Sequence, residues 1–408
     1  MEFITNVSEK EYSSFVKKHV NSHFLKSYEW GEISSYRGFT PYYVGVKEGK
    51  KIVATALLLQ KHLPLGYSYF YIPRGYTMDY TNYELLEYFT KEIAKFTKNK
   101  KSLFFKIDPD IKLHTIDKEA NVIANKENNY ELVKTLKKNG FKQKKLNLFF
   151  EGMQPRFTFR VDIKDELDVI RKRYSKSVSR WIKKANAYKV QTFIGKKEDL
   201  KKFIDLMKMT EKRQGFYSHN YEFYPVLYDV FNKKDYISLM MAKVNVSDVC
   251  KVLDEEISNA KDDIVKEKLI RRKEKYELLG KTSNEKVVSS YINVHYGNKS
   301  WYLYGANDMD FKDTFANYKL FDFQISKSHE MGFEIFDEFG TVGDPKTKKS
   351  VAGLHEFKQK FGGEYTEFIG EFDYVTNSFM YFIFTKLIPL YRKPLLFFRH
   401  MKVKMQKR

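Results

Sequence analysis

A single cysteine, Cys250, in a chain of 408 residues excludes a disulfide framework and any zinc site built on thiolates. The nine histidines nowhere fall at metal-ligand spacing, so neither a metal nor another cofactor is expected. Also missing are a GxSxG elbow, a P-loop, an HExxH pair and a GxGxxG turn after a strand. If this is an enzyme, it works by positioning and electrostatics rather than by an activated nucleophile. The opening MEFITNVSEKEY lacks the basic and apolar regions of an export signal, and a reducing cytosol suits the cysteine usage. The most apolar run, FMYFIFTKLIPLY at 379–391, is interrupted by Lys386 and Pro389 and is too short to read as a membrane span.

What the chain has in excess is positive charge. A net charge of +21 implies an anionic partner, either nucleic acid, a phosphorylated substrate or an acidic membrane; the bland alternative is a solubility charge or a general lysine bias. With 42% hydrophobic and 17% aromatic residues, the chain can nevertheless fill real cores, and its length allows two or three domains.

Strand and helix signals recur in the same order in two places. PYYVGVKEGKKIVATALLLQKH reads as two strands about a turn, YSYFYIPRG as a third, YELLEYFTKEIAKFTKNK as an amphipathic helix and SLFFKIDPD as a further strand; the expectation is an antiparallel sheet crossed by helices. Later, YISLMMAKV, VVSSYINVHYG and KSWYLYGAND repeat three strands before the helix FKDTFANYKLFDFQISKSHEMG and the strand FEIFDEFG. An internal duplication of one α/β unit is the economical reading. The second copy carries an insertion at 247–286 with no proline and apolar residues at helical spacing. It reads either as a helical hairpin bending near 258–263, antiparallel and coiled-coil-like, or as one long surface helix. Between the copies, Leu167, Ile170, Tyr174, Val178, Trp181 and Ala185 form one apolar stripe, while 171–189 holds eight Lys/Arg and no carboxylate.

Four clusters carry potential chemistry. In GLHEFKQKFGGEY, 353–365, the alternation reads as a strand edge with Lys358 and Lys360 on one face and Phe357 and Phe361 on the other, which by pattern alone means solvated lysines over a core. Asp108 ends the strand of FKIDPD and is a candidate general base or a turn cap. In MKMTEKRQGFYSHNYEFYP, a helix running into an aromatic loop, Arg213, Tyr217, His219 and Tyr224 suit a sugar or phosphate ligand, although packing accounts for half of them. The tail, 376–408, has eight Lys/Arg and no Asp/Glu among aromatic and aliphatic residues. That composition favours peripheral contact with anionic membrane over nucleic acid.

Taken in order, SYEWGEI, YIPRGYTMDY, FKIDPD, RKRYSKSVSRWIKKANAYKV, WYLYGAND, FANYKLFDFQISKSHEMGF and GLHEFKQKFGGEYTEFIGEFD resemble the FemABX family, the FemA/MurM-like tRNA-dependent aminoacyltransferases that build peptidoglycan interpeptide bridges. The resemblance covers essentially the whole chain. It implies an α/β (α+β) protein of two GNAT-like acyltransferase domains, with a helical arm inserted in the second. The expected division is 1–150 for the first domain, with the C-terminal tail packing back on it, 151–246 and 287–373 for the second, 247–286 for the arm and 374–408 for a basic amphipathic segment. The acyl-CoA signature [RQ]xxGx[GA] is absent, since QKFGGE fails at Glu364, in agreement with a donor other than coenzyme A.

The resemblance further implies an aminoacyl-tRNA donor, an acceptor amine on lipid II or a UDP-linked muramyl peptide, and a cytoplasmic enzyme at the inner face of the plasma membrane. It makes Lys358 catalytic, with Phe357 and Asp108 beside it in role, and places Tyr304 and Trp30 with the substrate. Family lysine and arginine positions fall on Ser34 and His219, so Arg37, Arg213 or Lys360 substitute for them, with Tyr217 and Tyr224 nearby. Arg171, Lys172, Arg173, Lys176, Arg180, Lys183 and Lys184 form the expected tRNA phosphate platform. The competing readings are a non-catalytic RNA- or membrane-binding adaptor and a CoA-dependent acyltransferase.

Overall fold

In a computed structural model of the chain, which describes residues 1–214, 221–347 and 351–387, the residues gather into two compact units. The first takes 1–113, 127–146 and the chain from 368 onward; the second takes 114–126 and 147–367.

The first unit opens with β1 (Glu2–Ile4), α1 (Glu9–Lys18) and α2 (Tyr28–Tyr36), the helices started by Ser8 and Ser27 side chains that accept backbone N–H groups of the first turn. Strands β2 (Phe39–Glu48), β3 (Lys51–His62) and β4 (Ser68–Ile72) follow as an antiparallel meander, with the two-residue strand β5 (Thr77–Met78) pairing on β3. Helix α3 (Tyr83–Asn99) then crosses over, burying Leu86, Phe89 and Ile93, and delivers β6 (Ser102–Ile107) parallel to β4. The expectation of a wholly antiparallel sheet fails here, because a helical crossover returns the chain in the same direction. Strand β7 (Lys112–Thr115), helix α4 (Tyr130–Lys138) and strand β8 (Phe141–Gln143) complete this stretch.

The second unit repeats the plan. Strand β9 (Phe157–Asp162) leads to α5 (Leu167–Lys172) and α6 (Lys176–Ala187), so the basic helix is two helices, broken at Arg173–Ser175. After β10 (Gln191–Gly195), α7 (Leu200–Gln214) and α8 (Phe223–Asn232) comes the meander β11 (Ile237–Asn245), β12 (Glu285–Tyr296) and β13 (Lys299–Asn307). Helices α9 (Val246–Asn259) and α10 (Asp263–Gly280) form a hairpin between β11 and β12, with Asp262 capping the second helix. The single-helix alternative is thereby excluded. Helix α11 (Ala316–Glu330) crosses over to β14 (Ile335–Thr341), which runs parallel to β13.

Residues 353–365, read from their alternation as a strand edge, are instead α12 (Ala352–Gln359) followed by a turn and β15 (Glu364–Phe368). The second sheet orders β10-β11-β12-β13-β14-β9-β15-β7. Strand β16 (Phe372–Val375) then enters the first sheet between β6 and β8, giving β1-β2-β3-β4-β6-β16-β8, and α13 (Ser378–Phe382) lays Tyr381 on Phe104 of β6. Residues 368–373, assigned by sequence to the second domain, therefore cluster with the first. The segment 374–408 likewise begins as a sheet strand, and its basic end from 388 lies outside the described residues.

Candidate active site

The site in the second unit begins at an irregularity. Strand β14 pairs with β9 in register up to Asp337 and again from Gly340, so Glu338 and Phe339 bulge out. Phe339 takes the left-handed backbone conformation, φ 58°, which is costly for a bulky side chain. Asp337 holds the bulge: its Oδ1 accepts from the Phe339 N–H at 2.8 Å and lies 2.6 Å from the Thr158 hydroxyl, and its Oδ2 accepts from Arg160 Nε at 2.8 Å.

Lys358 fills the space the bulge opens. It sits in the last turn of α12, 3% exposed, and Nζ donates to the carbonyls of Glu338 at 2.5 Å, Gly340 at 2.8 Å and Phe339 at 3.3 Å. The Tyr302 ring lies 5.2 Å from the same nitrogen. An ammonium has three N–H donors, so the carbonyls occupy all of them. Burial pulls the Lys358 pKa down to about 8, opposed by the negative charges of Glu338 and Asp337. Glu338 itself is fully buried, and neither carboxylate oxygen has a hydrogen-bond partner among the described residues. Burial drives its pKa well above the usual carboxylate range, while Lys358 pulls the other way. Sequence reasoning passed over Glu338. The signal available was two consecutive acids, Asp337–Glu338, inside an apolar strand, which a sheet tolerates only where a partner or a distortion receives them.

Phe357 is half-buried, packed against Tyr318 and Phe321. Lys360, the C-cap of α12, does not share a solvated face with Lys358; its Nζ lies 5.2 Å over the Trp181 ring.

Asp108 lies in the first unit, at the end of β6. Its Oδ2 accepts from the Tyr71 hydroxyl at 3.0 Å and its Oδ1 from the Arg74 N–H at 2.7 Å. Burial pushes its pKa up to about 7, against the lowering influence of Arg74. The turn it holds depends on Gly75, at φ 71°, where an added Cβ would stand 2.6 Å from the Tyr80 hydroxyl.

Other expected site residues divide. Trp30 is buried against Phe24, Ser34 is buried in the same helix, and Arg37 is exposed at its C-cap. Tyr224 belongs to helix α8, not to a loop, and is fully buried with Phe203 and Tyr304 around it. Tyr304 is half-buried and Arg213 is exposed in the last turn of α7, whereas Tyr217 and His219 lie outside the described residues. Of the cations on α5 and α6, Arg171 is engaged by both oxygens of Asp322, each at 2.9 Å, and Arg173 pairs with Asp165. That engagement removes Arg171 from the free platform. Lys172, Lys176, Arg180, Lys183 and Lys184 are exposed and carry no ion pair among the described residues.

Two α/β units of one plan, the second with an inserted helical hairpin and a lysine of α12 buried against a bulged strand, define the class of fold. The chain belongs to the FemAB family, whose model matches residues 7–275 and 265–388. The lipid II:glycine glycyltransferase of Staphylococcus epidermidis (strain RP62A) is 30% identical over 415 residues, covering 94% of this chain and 95% of that protein. The enzyme of the same name from Staphylococcus haemolyticus is 28% identical over 416 residues, with 94% and 95% covered. The crystal structure of FemX superposes with a TM-score of 0.78 at 25% identity, covering 93% of this chain and 99% of that one.

Proposed function

We propose that this chain transfers an amino acid from aminoacyl-tRNA to the stem-peptide amine of a peptidoglycan precursor, with lipid II as acceptor. Full-length similarity to lipid II:glycine glycyltransferases carries the reading and favours glycine among glycine, alanine and serine. The buried lysine in its carbonyl cage is the feature that suits the chemistry.

In that reaction the amine nitrogen attacks the ester carbonyl carbon, a C–N bond forms, the C–O bond breaks, and the terminal ribose hydroxyl leaves with a proton. Negative charge collects on the former carbonyl oxygen. Lys358 provides a fixed positive charge for it, worth about 10²–10³ in rate for a preorganised group of this kind. Because its donors are all engaged, an oxyanion bonds to it directly only by displacing a carbonyl, and the 3.3 Å contact to Phe339 is the weakest of the three. The amine must lose a proton as it attacks.

Purified protein offered lipid II with glycyl-, alanyl- and seryl-tRNA in separate reactions tests this. Transfer from glycyl-tRNA is expected, and no transfer from any of the three overturns the reading. Membrane contact is the second part of the proposal: Phe379, 73% exposed, and Phe382 stand at the surface just before the basic tail. Removing residues 388–408 should lower binding to anionic vesicles, and unchanged binding removes the membrane role from the tail.

A further inference from the structure

The two exposed phenylalanines of α13 belong to a larger surface at one end of the first sheet. Helix α13 and the turn Ile383–Leu387 after it are seated on that sheet by two rings: Tyr381 lies 5.3 Å and Phe384 5.9 Å from Phe104 of β6, and Phe384 lies 5.8 Å from Tyr69 of β4. Seated that way, the segment leaves Phe379, Phe382 and Leu387 outward, at 73%, 54% and 47% exposure.

Two turns end beside it. The chain enters α13 through Thr376 and Asn377, whose N–H groups both donate to the Leu103 carbonyl, at 3.0 and 3.1 Å, so the helix begins at the start of β6. Strand β4 starts in the same place: Ser68 pairs with Ser102, and its N–H and hydroxyl donate to the carbonyls of Lys101 and Lys100 at 3.1 and 2.9 Å. The turn before β4, residues 63–67, therefore stands next to the lysine turn 98–101 before β6. At its tip Leu65 is 87% exposed and holds a left-handed backbone, φ 61°. Leucine suits that position on neither count, since the conformation favours glycine or asparagine and the side chain buries almost nothing within the chain. A strained residue that does not serve packing points to function.

The charge of these three elements has one sign. Residues 61–67, 98–101 and 376–387 hold five lysines and no Asp or Glu. The acids just upstream of α13, Glu371 and Asp373, are taken up by Lys106 and Lys144. Apolar side chains that protrude from three elements amid lysines match a bilayer with anionic headgroups, in which the apolar groups enter the headgroup region and the ammonium groups stay at the level of the phosphates. A protein partner fits less well, because protein interfaces are depleted in lysine.

We propose that this end of the first unit is a membrane-docking face, in which Leu65, Phe379 and Phe382 enter the headgroup region of an anionic bilayer while Lys98, Lys101 and Lys386 meet its phosphates. This rests on the membrane contact of the reading above and extends it from the basic tail to the folded unit, with a strained leucine turn as its second anchor.

The probe is vesicles of equal parts phosphatidylglycerol and phosphatidylcholine, with phosphatidylcholine alone as control, sedimented with the full-length protein in the absence of lipid II and RNA. Leu65→Asp should weaken binding to the anionic vesicles about tenfold, the order expected for one leucine side chain lost from apolar surroundings. Lys98→Gln combined with Lys101→Gln should weaken it too and reduce its salt dependence. Leu278→Asp, at a leucine of α10 that is 64% exposed, should change nothing. Leu65→Asn separates docking from folding: asparagine tolerates the left-handed backbone, so the melting temperature should rise while vesicle binding falls. In turnover, the same variant should raise KM for lipid II presented in vesicles and leave KM for a soluble UDP-linked muramyl peptide unchanged. Equal vesicle binding by wild type and Leu65→Asp overturns the face, even if lipid II is turned over and removal of the tail lowers binding. Leu65-dependent vesicle binding without transfer from any aminoacyl-tRNA overturns the transfer reading and leaves the face standing. Self-association that Leu65→Asp abolishes, with vesicle binding unaffected, overturns the face in favour of an interface with a second copy of the chain.

Discussion

The two units place an acid at the same point of the same plan and use it differently. In each, the strand after the crossover helix runs parallel to an aromatic strand, β6 beside β4 and β14 beside β13, and carboxylates stand where that parallel pairing ends, Asp108 just after Ile107 and Asp337 with Glu338 within β14. In the first unit Asp108 has both oxygens satisfied by the Tyr71 hydroxyl and the Arg74 N–H, and it anchors a turn. In the second the corresponding strand has two acids. Asp337 is the satisfied one, and Glu338 is buried without a hydrogen bond, next to a lysine that its own carbonyl helps to cage. A buried acid that only completes a turn costs little, whereas one left unpaired persists only beside compensating charge. The difference assigns the stronger electrostatic role to the second unit.

The most severe way to break the contrast is Lys358→Met, which keeps the bulk and removes the charge. Transfer should fall by about 10²–10³ in kcat/KM. Because it strands Glu338, the melting temperature should fall too, and the double variant Lys358→Met with Glu338→Gln should recover stability but not activity. Recovered activity in the double variant would mean the charge is not what matters.

Asp108→Asn comes next and acts on the first unit: one amide oxygen cannot replace two carboxylate oxygens toward the Tyr71 hydroxyl and the Arg74 N–H, so the melting temperature should fall by several degrees. A melting temperature equal to the wild type would show that Asp108 does not hold the turn. For the second unit, the wild-type rate should fall above about pH 8, as Lys358 loses its proton, and Asp108→Asn should leave that alkaline limb unmoved.

Glu338→Gln acts on that alkaline limb. The groups facing Lys358 are Glu338 and Asp337 from β14, His355 one turn earlier on α12 and the Tyr302 ring. Removing one negative charge lowers the Lys358 pKa further, so the alkaline limb should move below pH 8, with a loss of several-fold at pH 8 and little at pH 6.5. A profile superimposable on the wild type would show that Glu338 does not tune the lysine. The smallest effect belongs to Gly75→Ala in the first unit, where strain should cost about 1–3 kcal/mol of stability, read as a lowered melting temperature with the alkaline limb unmoved.

Much of the architecture was legible because it is local. The helical character of 247–286 followed from its apolar spacing and lack of proline, which fit a hairpin and a single helix alike, and the Trp181 stripe followed from its three-and-four repeat. The segment around Lys358 misled because Phe357 and Phe361 are two alternations apart in a strand and also one turn apart in a helix; the helix won, and both rings meet Phe321. That Lys358 is buried was not legible at all, since its cage is built from carbonyls of residues 338–340, and backbone groups leave no mark in a side-chain pattern. Trp30 and Tyr224 went to the core for the ordinary reason that large rings bury area. Strand β16 was hidden for a different reason: its partners β6 and β8 lie more than two hundred residues upstream.

That last pairing fixes an order of events. A ribosome that has emitted residues 1–146 has supplied β6 and β8 but not the strand that joins them, and two edges of unpaired backbone stay open until residues 372–375 emerge. The second unit, continuous from 147 to 367 apart from one short upstream segment, is nearly finished before the first can close. The half of the molecule that begins the chain is therefore the half completed last, and a message truncated anywhere before codon 372 leaves the first sheet unsealed however much of the second has folded.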